Sequence, residues 1–244
     1  MVRGGPNYPD GEDYPYVGLH EQTRTYGQVF REQERAEALV EYHGSIIDEV
    51  TSNLPPEDER PEVGLILPLV PDSGPGDVYV YDFSEEGDNT NGKHYRDLGL
   101  TNAFAGKYGG KANIDADFEL MLEVDPEVLL FHIAFYWMDQ PASDWHDDAE
   151  EGQSVVDYSR EFLRNHPVAS ELTAVQNDEI YIGSDTSYQG PIVNLFQTEL
   201  LAKQLYPEQF GEWPGLEDDG SYQIPTDEQL FDRQRVQDII NGDI

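Results

Sequence analysis

Residues 113–131, NIDADFELMLEVDPEVLLF, carry a helical pattern that runs straight into a strand. Phe118, Met121 and Leu122 recur at the three-to-four spacing of one helix face, Asn113 or Asp115 can cap that helix, and Pro126 forces its end. The apolar run Val128 to Phe131 follows at once, so a strand buried on both faces is predicted over 127–132. The chain then continues HIAFYWMD (132–139), an aromatic cluster turning acidic.

The same alternation extends outward in both directions. Upstream, EVGLILPLV (62–70) and DVYVYDF (77–83) read as short strands joined by the turn signal PDSGPG. The polar stretch SEEGDNTNGKH (84–94) reads as a loop, and LGLTNAFAGKYGG (98–110) as a short helix ended by glycines. Downstream, Gln153 to Asn165 suits an amphipathic helix with Val155, Val156, Tyr158, Phe162 and Leu163 inward. A strand from Glu179 to Gly183, a helix from Ile192 to Leu205 stopped by Pro207, and a helical tail from Thr226 to Ile240 follow. Near the start a helical pattern begins at His20, and a second, long helix runs from Glu32 to Asn53 until PPEDERP (55–61) stops it. Strands alternating with helices define an α/β fold: a mainly parallel sheet flanked by helices, preceded by a long helical segment.

Composition limits what such a fold can do. Among 244 residues there are 14 basic and 50 acidic side chains, a formal net charge of −36, with the acids spread over every segment. A field of that sign repels nucleic acid and anionic membrane surfaces. It also needs counterions to screen it, which points to a protein adapted to very high salt. No cysteine is present, so there is no disulfide and no thiolate metal site or nucleophile. No run of about 18 apolar residues could cross a bilayer, and the opening MVRGGPNYPDGEDYPY lacks the apolar segment of a secretory signal.

In open α/β sheets ligands lie outside the carboxyl ends of the strands. That rule selects two loops, His132 to Trp137 and Ser184 to Gly190. His132 at a strand end has two readings, a histidine bonded to backbone or a ligand contact. Phe135, Tyr136 and Trp137 are adjacent in sequence and cannot all face one way, so part of the run lines a cleft or covers another element. Ser187, Tyr188 and Gln189 precede a Gly-Pro and a helix N-terminus, whose free N–H groups suit an anion. WHDD (145–148) has the residue types of a metal site, but an Asp beside a His is expected by chance among 50 acids. The six histidines form no HExxH or other spaced pair, and no GxSxG, P-loop or GxGxxG occurs. Neither a catalytic residue nor a cofactor is predicted, and a hydrolase built on a carboxylate pair ranks third.

Several segments resemble the helical-backbone class of ABC-transporter substrate-binding proteins, which captures ferric siderophores, haem and cobalamin. NIDADFELMLEVDPEVLLF is similar to its helix–strand step. HPVASELTAVQNDEIYIG (166–183) looks like the next step, GPIVNLFQTELLAKQLYPEQF (190–210) like the final helix of the C-terminal lobe, and YGQVFREQERAEALVEYHGSIIDEV (26–50) like the approach to the helix joining the two lobes. The resemblance implies residues 21–54 as a connecting helical segment and 55–244 as a C-terminal lobe with a helical tail, with 1–20 either a remnant of an N-terminal lobe that is otherwise missing or an irregular tail. It also implies a ferric chelate or corrinoid ligand, ABC permease subunits as partners, an extracellular location, and permease docking through an acid, for which Asp185 is nearest. The absent signal favours the alternative, a stand-alone cytoplasmic ligand-sensing or interaction domain.

The charge makes one prediction independent of ligand. The melting temperature should rise as NaCl goes from about 0.1 M to about 1 M, where the screening length falls from about 10 Å to about 3 Å. A melting temperature flat across that range would remove the high-salt reading.

Overall fold

The computed structural model describes residues 18–67, 78–83, 92–109, 111, 113–133, 140–144, 146–183, 190–215 and 222–244. Its frame is a mixed sheet of β1 (Glu62–Ile66), β2 (Val78–Tyr81), β3 (Thr101–Asn102), β4 (Asn113–Ala116), β5 (Val128–Phe131) and β6 (Ile180–Ile182), ordered β4-β2-β1-β5-β6 with β3 beside the first half of β1. β1, β3, β5 and β6 run parallel, while β2 and β4 extend the sheet antiparallel. Helices α1 (Leu19–Phe30), α2 (Gln33–Ser52), α3 (Lys93–Asp97), α4 (Phe118–Val124), α5 (Val155–Asn165), α6 (Thr173–Gln176), α7 (Pro191–Leu205), α8 (Pro207–Phe210) and α9 (Arg233–Asn241) complete the elements.

Strand alternation sorts the core into two layers. Ile66, Val80, Phe131 and Ile182 share one row of the sheet and pack with Phe104, Phe118, Met121, Val155 and Leu163. Leu65 and Leu130 point the other way, into a layer with Tyr95, Leu98, Leu200 and Leu201, with Tyr81 and Tyr181 at its margin. Every residue of β5 is buried, as its continuous apolar run predicts.

Several local expectations are corrected. The stretch 98–110 is not a helix: Thr101–Asn102 forms β3, because the buried Leu98, Leu100 and Asn102 alternate with period two. The helix lies earlier, at α3, inside the stretch read as polar loop; Lys93 and Asp97 pair across one turn at 2.8 Å, and His94 and Tyr95 are fully buried. Residues 113–116 form β4, and the cap is Asp117, whose Oδ1 accepts the Leu120 N–H at 2.8 Å; Leu122 is exposed while Phe118 and Met121 face inward. The tail helix starts at Arg233, where the Asp232 carboxylate accepts the N–H groups of Gln234 and Arg235; only a short turn covers Thr226–Glu228. In α5 the buried face is Val155, Val156, Ser159 and Leu163, with Phe162 partly buried and Tyr158 at the rim.

α1 folds back on α2 through Arg31 in the left-handed region, and Gly27 permits the close approach, since a Cβ there would lie 2.5 Å from Ala36 Cβ. α2 in turn packs on α7 and α9. A buried polar chain links these helices: His20 Nε2 lies 2.9 Å from His43 Nδ1, and His43 Nε2 lies 2.7 Å from Asn194 Oδ1. The amide oxygen can only accept, so His43 donates from Nε2 and, when neutral, accepts from His20 at Nδ1.

Burial holds His43 down at about 4, from an ordinary 6.5. The unfolded chain therefore binds the proton first, and this contribution to stability is complete above about pH 6.5 and lost as the pH falls toward 4. The loss reaches about 3 kcal/mol at its limit. Urea midpoints measured from pH 7.5 down to 4.5 should fall more steeply for the wild type than for His43→Gln. Parallel curves would show that His43 does not carry the effect.

Candidate functional site

The carboxyl ends of β1, β5 and β6 lie side by side, with Ile66 paired to Phe131 and Phe131 to Ile182. His132 begins at that edge. Its N–H donates to Ile66 O at 2.7 Å, and its half-buried imidazole stacks on the Tyr81 ring, with centroids 3.9 Å apart and an interplanar angle of 19°. Across β1, Tyr81 is anchored by the β2–β4 ladder and by Tyr108, whose Oη lies 2.9 Å from the Tyr81 carbonyl.

The end of β6 is held by a convergence of donors. Gly183 N–H donates to Phe131 O at 2.8 Å, while His94 Nε2 at 3.1 Å and Tyr95 Oη at 3.0 Å both reach Gly183 O. A carbonyl only accepts, so His94 carries its proton on Nε2. The position must be glycine on steric grounds, because a Cβ would stand 2.7 Å from Tyr95 Oη and 2.9 Å from Phe131 O. Helix α7 opens with Gly190 and Pro191, with no side-chain cap. By helix geometry the N–H groups of Ile192 and Val193 have no acceptor within the helix, so this end carries partial positive charge.

Of the residues singled out in the sequence, His132 is described. Phe135, Tyr136, Trp137, Asp185, Ser187, Tyr188 and Gln189 lie outside the described residues. Sequence reasoning missed Tyr81, His94, Tyr95 and the steric demand at Gly183. The spacing of Lys93 and Asp97 was the available signal for α3. The contact from Tyr81 to His132 crosses 51 positions and leaves no local trace.

In the WHDD segment His146 is half-buried and Asp147 and Asp148 are exposed. His146 stacks on Tyr158 at 4.1 Å, and Tyr158 Oη donates to Asp148 at 3.1 Å. Among the described residues no group of three His, Asp or Glu side chains is arranged to hold a metal ion, and no helix is long and apolar enough to cross a membrane.

An α/β layer whose parallel strands end together along one edge is the architecture in which ligands bind outside the strand ends. The profile of the periplasmic binding protein family matches residues 9–186, more than half of the chain, and the chain belongs to that family. It is a family of binding proteins, not of enzymes, which removes the carboxylate-pair hydrolase. Among solved structures, the chain is similar to an ABC transporter substrate-binding protein from Listeria monocytogenes (TM-score 0.54, 20% identity, 77% of this chain and 63% of that one). It is similar to an ABC-type Fe3+-hydroxamate transport system from Saccharomonospora viridis (0.53, 24%, 77% and 55%). It is also similar to the triscatecholate siderophore binding protein FeuA from Bacillus subtilis complexed with ferri-bacillibactin (0.52, 17%, 80% and 60%). The chain thus spans less than two thirds of the length of these structures. No curated protein matches it.

Replacing Gly183 tests the clamp. Gly183→Ala should lower stability by about 1–3 kcal/mol in urea unfolding, the usual cost of overpacking. An unchanged midpoint would mean that Tyr95 and β5 are not held as tightly as their distances imply.

Proposed function

We propose that this chain is the solute-capturing component of an ABC importer, acting outside the cytoplasmic membrane, and that its ligand is a ferric chelate. One observation carries the reading: the three parallel strand ends meet at one edge, with the half-buried His132 imidazole stacked there, in a chain of the periplasmic binding protein family. The iron-chelate names of two similar structures support the ligand class.

In this reading residues 55–244 form the binding lobe and 21–54 the connecting helical segment. His132, Phe135, Tyr136 and Trp137 contact the ligand from the end of β5. Ser187, Tyr188 and Gln189 do so from the end of β6, and Asp185 meets the permease. Function is capture without chemistry. Aromatic faces grip the chelate's organic shell, while the His132 imidazole offers a donor to its oxygens. At high salt, long-range attraction between exposed charges is screened, so short-range contacts set the affinity.

The test is titration of the protein, in molar salt, with a ferric trihydroxamate, a ferric tricatecholate and a cobalamin, followed by calorimetry and tryptophan fluorescence. Saturable binding of a ferric chelate with no turnover is expected, weakened about tenfold by His132→Ala, the worth of one good hydrogen bond. Binding of the cobalamin alone would reassign the ligand to a corrinoid, and binding of none of the three would sink the importer role.

A further inference from the structure

Resting on the capture reading above, we propose that Tyr81 is a positioning residue of the ligand site: its ring sets the plane of the His132 imidazole that meets the ligand. The two side chains come from opposite flanks of β1. Val80 pairs with Ile66, and Ile66 pairs with Phe131, so Tyr81 and His132 must lean over β1 on one face to meet. They meet closely, with centroids 3.9 Å apart and rings 19° from parallel.

Both backbones under the rings are pinned. The His132 N–H is tied to Ile66 O at 2.7 Å. Tyr81 is paired with Asn113 on β4, and its carbonyl receives Tyr108 Oη at 2.9 Å. Tyr108 is itself buried and lies 3.1 Å from the Asn102 side-chain oxygen, so its single hydroxyl proton serves both acceptors. Asn102 is held in turn, donating to Asp82 at 3.0 Å and accepting the Phe104 N–H at 2.9 Å. A connected set of hydrogen bonds therefore runs from β3 through Tyr108 to the Tyr81 backbone, and the Tyr81 ring passes that order on to the imidazole.

A histidine at a strand end has two rotatable bonds, and fixing them at the moment of binding weakens affinity. The stack fixes the ring plane beforehand. This is a role for the aromatic ring of Tyr81, not for its hydroxyl, and the distinction can be measured. It also assigns a purpose to the antiparallel pair β2–β4: the extension carries Tyr81 to the end of the parallel strands.

The experiment compares Tyr81→Phe, Tyr81→Leu and Tyr81→Ala, each alone and with His132→Ala, for binding of the ferric chelate found in the titration. Histidine ring proton shifts in NMR and melting temperature are read in parallel. Tyr81→Phe should bind within about threefold of wild type, whereas Tyr81→Leu, which keeps apolar bulk but no ring, should lose about tenfold. In the His132→Ala background, Tyr81→Leu should cost nothing further. The His132 ring signals should move downfield in Tyr81→Leu and not in Tyr81→Phe, because the neighbouring ring current is lost only in the former. The ring shift needs no ligand, so it separates the two readings. If the shift is present but the wild type binds no chelate, the capture function falls and takes the positioning role with it. Equal losses with and without His132, or a Tyr81→Leu protein of wild-type affinity, would overturn the positioning role while leaving capture intact.

Discussion

Helix α7 is the element on which the other parts depend, and its constraint is burial. Leu195, Leu200, Leu201 and Ala202 are buried, but so are Asn194, Gln197, Thr198, Glu199, Lys203 and Gln204. A helix enclosed on all sides must find partners for its polar groups, because each unmet group costs about 1–3 kcal/mol. Those partners define the fold. Gln204 takes the Ile182 N–H at 3.3 Å and gives to Ile182 O at 3.0 Å, acting as a substitute strand at the outer edge of β6. Lys203 donates to Phe210 O at 2.6 Å and sets the turn into the tail. Glu199 accepts from Leu230 N–H at 2.8 Å and from Arg233 at 2.7 Å, and Arg233 also lies against Phe196, Tyr222 and Phe231. Asn194 accepts from His43 and ties in the first helical hairpin. One helix thereby fixes the sheet edge, the tail and α2.

Several of the scarce cations serve that scaffold. Besides Lys203 and Arg233, Arg160 donates to Ile180 O, Arg96 to Phe83 O and Arg60 to Pro55 O, each capping backbone that would otherwise lose its partner. The exposed pairs, such as Arg24 with Glu37, are of the kind that contributes little, and less in salt. With 14 basic residues against 50 acidic ones, the protein does not balance its surface with its own cations. It reserves several of them for positions where a hydrogen bond is made, and leaves the acidic surface to ions in solution.

How much could be read in advance followed from the length of each signal. β5 and α7 announced themselves, one as an uninterrupted apolar run and the other as a long segment stopped by Pro207. β3 and β4 did not, because two or four residues give periodicity little to work with, and an Asn or Asp in β4 looks like a cap until its partner β2 is known. α3 was hidden in a polar stretch whose buried members, His94 and Tyr95, point at a carbonyl 88 residues away in Tyr95's case. The strand-end rule pointed to the edge where β1, β5 and β6 end together, and His132 follows β5 there. It gave no access to the groups behind that edge, since these are selected by three-dimensional proximity alone.

That division has a physical cause that bears on specificity. Residues that touch a ligand sit at strand ends and in loops, where sequence position and topology together reveal them. Residues that orient the first group lie one layer back, in other strands, and are chosen by packing. In the capture reading proposed above, the second group includes Tyr81 under His132 and His94 with Tyr95 under Gly183, all of them ring side chains. Rings suit the task in concentrated salt, because stacking and short hydrogen bonds survive screening that removes the long-range attraction of surface charge. A protein with so acidic a surface would therefore place its selectivity in the rigidity of these uncharged supports, and the loops could change with the ligand while the layer beneath them stayed the same.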